Sequence, residues 1–296
     1  MATKRKKIFK KIGLVAKTHG SGASAVVRRL ARWIDSRRAQ TCILEEHTAR
    51  FISSKKPGVS REDLVRRADL VVVIGGDGTL LSMARVAAGR RTFLLGINLG
   101  SLGFLTAVPL SQQRRRLDAV FNGHYTIDRR MMLTARLSRR GRRLQELSLL
   151  NDIVINKSAL ARIIDLKIRV DGQAITTYKA DGLILSTPTG STAYSMSAGG
   201  PIVYPNLQAI VITPICPHTL TNRPLVLPET SRVEVRLETP NEDVYLTLDG
   251  QVGIPLHGGD VLTVRRTPGW LHLVQPEGSS GFFEVLRRKL KWGGDR

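Results

Sequence analysis

From residue 12 onward the chain alternates short apolar runs with amphipathic stretches. Ile12 to Ala16, Thr41 to Glu45, Leu70 to Ile74 and Thr92 to Asn98 read as strands, while Ala23 to Ser36 and Thr79 to Ala88 read as helices. In the second helix the apolar stripe is Leu80, Leu81, Met83, Ala84 and Ala87. The run Leu70-Val71-Val72-Val73-Ile74 has no polar face, which suits a strand covered on both sides in a parallel sheet. Such alternation predicts an α/β domain. A helix with basic solvent positions, Gln112 to Phe121, closes it ahead of Asn122-Gly123.

From about Tyr125 the period shortens. Met132 to Leu137, Leu149 to Ile155, Leu166 to Val170, Gly182 to Ser186, Ala209 to Thr213, Arg232 to Leu237, Val244 to Leu248 and Val261 to Arg265 are strand candidates. Turns such as Asp171-Gly172 and Asp249-Gly250 separate them, so the second part is expected to be all-β and sandwich-like. The tail from Gly281 to Trp292 is helical again, with Phe282, Val285, Leu286 and Leu290 on one side, and is expected to return to the first domain. The expected division is 1–123, 124–275 and 276–296. With no internal repeat or low-complexity linker, a rigid two-part body with a small-molecule cleft is the expectation.

Candidate chemistry starts where the apolar strand ends. Gly75-Gly76-Asp77-Gly78 follows it directly, and the Thr79 helix comes next. Glycines let backbone N–H groups approach an oligophosphate, and a helix start adds the positive end of its dipole. A carboxylate beside phosphates is costly unless it holds a metal, orients a sugar or takes a proton from an attacking hydroxyl, so Asp77 is the general-base candidate. The bland reading is an ordinary tight turn. The order of strand, glycine turn and helix favours the anion site.

A second run, Lys179 through Pro201, sets Thr187-Pro188-Thr189-Gly190-Ser191-Thr192-Ala193-Tyr194-Ser195-Met196-Ser197 after another buried strand. Small hydroxyls and glycines supply hydrogen-bond partners without bulk, and Tyr194 can face a planar ring. Gly20-Ser21-Gly22-Ala23-Ser24-Ala25 mimics a dinucleotide fingerprint, but four residues separate Val15 from Gly20, whereas the fingerprint wants its first glycine at the strand end. There is no Walker A pattern. The six histidines are scattered without zinc spacing, Cys216-Pro217-His218 reads as packing and turn, and no Ser-His-Asp arrangement is defensible from spacing.

Composition narrows the setting. At 296 residues the chain has room for two domains, and 42% hydrophobic with 24% charged residues is ordinary for a globular protein. No apolar run approaches the roughly 18 residues of a membrane span. The basic opening Met1 to Lys7 lacks a following apolar signal core, so no export is expected. Cys42 and Cys216 sit in apolar sequence surroundings without metal-ligand spacing, which points to a cytoplasmic location. A net charge of +22, clustered at Lys4 to Lys11, Arg129 to Arg143 and Arg287 to Lys291, invites anionic partners. Without zinc-finger spacing or an RNA-binding aromatic motif, and with 5% aromatic residues, a solvated arginine-rich surface is expected rather than a nucleic-acid site, and no membrane partner is expected.

Several motifs together resemble NAD kinase across nearly the whole chain. They are Gly75-Gly76-Asp77-Gly78-Thr79, Gly96-Ile97-Asn98, Leu102-Gly103-Phe104-Leu105-Thr106, Leu149 to Ile155 with Asn151-Asp152, Asp181 to Pro201, Pro217-His218-Thr219-Leu220 and Asp249-Gly250-Gln251. The glycine turn alone is shared with diacylglycerol and sphingosine kinases; the Thr187 to Pro201 run is much more specific.

The resemblance implies transfer of the terminal phosphoryl of ATP, or of polyphosphate, to the 2′-hydroxyl of the adenosine ribose of NAD. It makes Asp77 the base, gives Gly75, Gly76 and Gly78 the phosphate turn, and adds a divalent cation, normally magnesium. Asn151 and Asp152 would hold ribose hydroxyls; Thr192, Ala193, Tyr194 and Ser197 would line the adenosine pocket, with Ser195 and Met196 in the same run. Phe104, Arg162, Lys179, Asp181 and Gln251 complete the implied site. A homodimer or homotetramer is implied, with a neighbouring subunit near Lys179 and Asp181. Two positions depart from the family pattern: Asp152 stands where Glu is more frequent, and Ala107 where an acid is common. The weighed alternatives are a lipid kinase sharing the glycine turn and a basic nucleic-acid-binding module.

Overall fold

The computed structural model describes residues 8–18, 23–100, 102–106, 108–159, 161–219, 221–240 and 243–292. The fingerprint-like Gly20-Ser21-Gly22, most of the first basic cluster and Ala107 therefore lie outside the described residues. Two compact units emerge: Met1–Arg129 with Leu271–Arg296, and Arg130–Trp270.

In the first unit, β1 (Lys11–Ala16), α1 (Ala23–Asp35), β2 (Thr41–Leu44), α2 (Glu46–Phe51), α3 (Arg61–Arg67) and β3 (Leu70–Gly75) come in order. They are followed by α4 (Asp77–Ala87), β4 (Phe93–Asn98), β5 (Val108–Pro109), α5 (Gln113–Phe121) and β6 (Tyr125–Arg130). Strands β2, β1, β3 and β4 lie side by side in parallel, and every residue of β3 is buried. Alternate strand residues Ile12, Leu14, Leu70, Val72, Ile74, Leu95 and Ile97 share a core with Val27, Leu30 and Ile34 of α1 and Leu117 and Val120 of α5. The α2 and α3 helices were not expected. Each spans under two turns, too short for a periodic stripe, and depends on caps: the Glu45 carboxylate accepts the Thr48 amide, and the Ser60 hydroxyl accepts the Asp63 amide.

The second unit begins with β7 (Leu133–Arg139), β8 (Arg142–Leu149), β9 (Asp152–Lys157), β10 (Ile164–Val170), β11 (Gln173–Ala180) and β12 (Gly182–Ser186). After the short α6 (Tyr194–Ser197) come β13 (Ala209–Ile215), β14 (Leu225–Pro228), β15 (Val233–Leu237), β16 (Val244–Leu248), β17 (Val252–Leu256) and β18 (Val261–Arg266). They form two antiparallel six-stranded sheets, β11-β10-β15-β18-β7-β8 and β14-β13-β12-β9-β16-β17. Inward residues of both, among them Leu133, Leu166, Ile168, Val235 and Leu262 against Ile153, Ile155, Leu183, Leu185 and Leu246, make one sandwich core.

The chain then re-enters the first unit as β19 (Leu271–Pro276) and α7 (Phe282–Leu290). Strand β19 sits between β4 and β6, parallel to β4 through His272↔Phe93 and Leu273↔Leu94. The expected β-rich part, 124–275, takes in β6 and most of β19; neither is among its strand candidates, and both hydrogen-bond into the first unit's sheet. Helix α7 buries Val285 and Leu286, and its Phe282 ring meets Phe104 at 6.3 Å. Of the cysteines, Cys42 is buried and its thiol is pushed up to about 12 by burial first and Asp35 second. Cys216 corrects the expectation of apolar surroundings: it is exposed, in a left-handed backbone conformation at φ 44°.

Candidate active site

The buried β3 runs without a break through Gly75, and Gly76 caps α4, so Asp77 is the first residue of that helix. Its half-buried side chain does not dangle in the turn. The Phe104 amide donates to Oδ2 at 2.9 Å, while the Leu105 amide at 3.2 Å, the Thr106 amide at 3.1 Å and the Thr106 hydroxyl at 2.9 Å donate to Oδ1. A Cβ on Gly103 would collide with Asp77 Oδ1, so the 103–106 turn wraps the carboxylate closely enough to require glycine there. One carboxylate, fixed by four donors at the start of an eleven-residue helix beside three glycines, can face an anion and accept a proton. Among the described residues no group of three His, Cys, Asp or Glu side chains is arranged to hold a metal.

The second unit carries a cavity of about 330 Å³. Its floor includes Asp152, Val154 and Asn156, alternate residues of β9, and Thr247 of β16, which pairs with Val154. Ala193 and Tyr194 form a wall, and Asn151, Asp249 and Gly250 complete the lining. The sequence reading of Leu149 to Ile155 as one strand is corrected: the ladder breaks at Leu150-Asn151, whose amides donate to Asp249 Oδ2 at 3.3 Å and Oδ1 at 2.8 Å. Asp249 and Gly250 both have positive φ, at 50° and 64°, forming the tight β16–β17 hairpin that aims this carboxylate back at the break. Asp152 is 5% exposed; burial, then the charge of Asp249, raises its carboxyl to about 7, with the Tyr194 amide pulling the other way. Asn151 Oδ1 is buried without a hydrogen-bond partner among the described residues, an acceptor ready for a ligand hydroxyl.

Comparison with known proteins bears on both sites. The ATP-NAD kinase N-terminal domain matches residues 12–125, and the ATP-NAD kinase C-terminal domain matches residues 150–275. An NAD kinase of Geobacter metallireducens is 51% identical over 285 residues, 96% of this chain and 99% of that protein. The chain belongs to the NAD kinase family. An NAD kinase of Geotalea daltonii is 50% identical over the same shares of the two chains. Yeast NADH kinase complexed with NADH superposes with a TM-score of 0.87 at 27% identity, over 98% of this chain and 90% of that one. An NAD kinase from Archaeoglobus fulgidus in complex with ATP gives 0.68 at 26%, over 90% and 94%. The chain is thus an enzyme, a kinase acting on NAD, which decides against a lipid kinase and a nucleic-acid-binding module.

The NAD kinase motifs do not all converge on one spot. Asn151, Asp152, Ala193 and Tyr194 share the cavity. Thr192 is 9% exposed and donates to the Thr189 carbonyl at 3.2 Å, closing the short turn ahead of α6. Ser195 is fully buried and shares a 2.9 Å hydrogen bond with Thr213, so its hydroxyl ties α6 to β13 instead of facing the cavity. Met196 is half-buried and Ser197 exposed on the same helical turn. Arg162, Lys179 and Gln251 are exposed, and Asp181 pairs with Lys157 at 3.5 Å. Asn156 and Thr247 line the cavity without having been singled out, and Val154 and Asp249, which belong to the resembling motifs, line it without having been given a site role. The period-two alternation of β9 from Asp152 was the available signal for Val154 and Asn156; Thr247 needed the strand register. Asp249 reads from the sequence as a turn residue and as part of the Asp249-Gly250-Gln251 motif, neither of which announces its reach to Asn151.

Proposed function

We propose that the chain transfers the terminal phosphoryl of ATP to the 2′-hydroxyl of the adenosine ribose of NAD, with Asp77 as general base. The 2′-oxygen bonds to the terminal phosphorus as the bond from that phosphorus to its bridging oxygen breaks. The hydroxyl proton passes to Asp77, ADP leaves, and NADP remains. Such transfer is mostly positioning and charge neutralisation, for which one base, a metal and fixed N–H donors suffice. The observation that carries this reading is the Asp77 carboxylate, held by four donors at the helix start.

The adenosine half goes to the second unit's cavity. Its volume falls among small-molecule sites of about 300–1,000 Å³, the open Asn151 Oδ1 suits a ribose hydroxyl, and the Tyr194 ring, 42% exposed, suits the base. ATP as donor is supported by the Archaeoglobus fulgidus NAD kinase in complex with ATP, and dinucleotide binding by the yeast enzyme with NADH. Without a three-ligand cluster among the described residues, magnesium fits as a cation carried on the donor's phosphates, the habit of an ion that keeps few protein ligands. When bound it neutralises charge on the donor. The enzyme acts in the cytoplasm as a homodimer or homotetramer.

Purified protein, with ATP and polyphosphate each crossed with NAD and NADH and the product read enzymatically, tests donor and acceptor. Asp77→Asn is expected to lower kcat at least about a hundredfold. Unchanged turnover in that variant removes Asp77 from the base role.

A further inference from the structure

Behind Asp77 lies a hydrogen-bond relay whose direction can be read. Asn98, the last residue of β4, pairs in register with Gly75 at the end of β3, so the side chain leaves the sheet beside the glycine turn. Its Oδ1 accepts the Gly100 amide at 2.6 Å, which orients the carboxamide, and its Nδ2 donates to Thr106 Oγ1 at 2.9 Å. A carboxamide nitrogen only donates, so the Thr106 oxygen accepts there and its single proton goes to Asp77 Oδ1. Thr106 is fully buried and Asn98 is 5% exposed, so water does not readily replace either bond.

The relay distributes the carboxylate's lone pairs unevenly. Oδ1 receives three donors, whereas Oδ2 receives only the Phe104 amide among the described residues. A carboxylate oxygen carries two lone pairs, which the three donors at Oδ1 share. Oδ1 is saturated and Oδ2 keeps one acceptor site. Carboxylate rotation is otherwise soft, with a broad torsional well.

We propose that Thr106, oriented by Asn98, is a positioning residue for phosphoryl transfer: its hydroxyl locks Asp77 so that Oδ2 faces and deprotonates the ribose hydroxyl. This rests on the reading of Asp77 as the base. The relay contributes geometry, placing one oxygen instead of a spinning pair in line with the nucleophile.

Thr106→Val in the full chain removes the hydroxyl and keeps the shape. Its kcat is expected to fall about ten- to a hundredfold while KM for NAD stays within about twofold, as for a misplaced reacting group. Thr106→Ser is expected to recover most of that loss. Gly103→Ala keeps Thr106 but drives a methyl into Oδ1, and its kcat is expected to fall as well. It serves as the second variant should Val at 106 fail to fold. A Thr106→Val or Gly103→Ala enzyme with parental kcat, a loss confined to KM, or a loss that Ser does not recover overturns the proposal. The two readings separate cleanly. An inactive Asp77→Asn beside a fully active Thr106→Val removes the relay alone, and an active Asp77→Asn removes the base.

Discussion

Two buried carboxyl groups facing one cavity set the pH behaviour at the scale of single residues. Asp249, 6% exposed, is anchored by two backbone amides; Asp152 is raised to about 7, by burial first and by Asp249 second. Its unfolded value is near 3.9, so the fold favours the protonated form. That contribution is fully present below about pH 4 and is lost as pH rises through about 7, a loss on the order of a few kcal/mol. Asp152→Asn keeps the shape without the titration. Its Tm is expected to decline less than the parent's between pH 5 and 8 and to exceed it at pH 8, by thermal melts in matched buffers. A parental pH profile in the variant would place the buried titration elsewhere. The residue types around these groups were legible in the sequence. The pairing of Asp152 with Asp249 was not, because 97 positions apart in the chain they meet only through a hairpin and a strand ladder.

Among the elements of the second unit, what the sequence revealed depended on where a strand sits in its sheet. The eight strand candidates of the β-rich part correspond to β7, β9, β10, β12, β13, β15, β16 and β18, all inside their sheets. Within the second unit the four that escaped, β8, β11, β14 and β17, are its four sheet edges, while β6 and β19, which escaped as well, pair into the first unit's sheet. An edge strand has one neighbour and more solvent, so residues such as Arg142, Gln173, Thr177 and Val226 blur the alternation that marks a strand. The Thr187 to Pro201 run shows the same division. Its small residues offer hydrogen-bond partners without bulk, and the fold adds a close approach, Gly190 against the Asn151 backbone, where a Cβ would collide with the carbonyl oxygen. Gly190→Ala is expected to destabilise the protein by about 1–3 kcal/mol in urea unfolding and to raise KM for NAD, because the atoms that must move belong to the cavity's own strand break. Unchanged KM would separate this turn from NAD binding.

At the scale of the molecule, the second unit is one continuous insertion, 130–270, with its own core, while the first is completed only when the chain returns. The consequences of truncation are therefore asymmetric. Residues 130–270 expressed alone are expected to unfold cooperatively in urea. A chain ending at Trp270 lacks β19, which lies between β4 and β6, and is expected to lose the parallel-sheet unit's cooperative transition while keeping that of the insertion. Retention of both transitions would show that β19 is dispensable. The charge of +22 is spread over the same surfaces with few acids to meet it: Arg136, Arg143 and Arg265 gather on Glu146, whose carboxyl is held below the usual range chiefly by the Arg136 hydrogen bond.

The sequence by itself determined the local terms. An uninterrupted apolar run ending in glycines makes a buried strand and a phosphate turn, alternation makes sandwich strands, and the motif set identifies the family, because each is written in residues close together along the chain. Only the tertiary structure decided the partners. The donors that fix Asp77 come from residues 104–106, Asp249 reaches back to Asn151 across 98 positions, and a strand from the far end of the chain enters the first sheet. Those pairings follow from which surfaces exclude water together, and that property belongs to the folded chain.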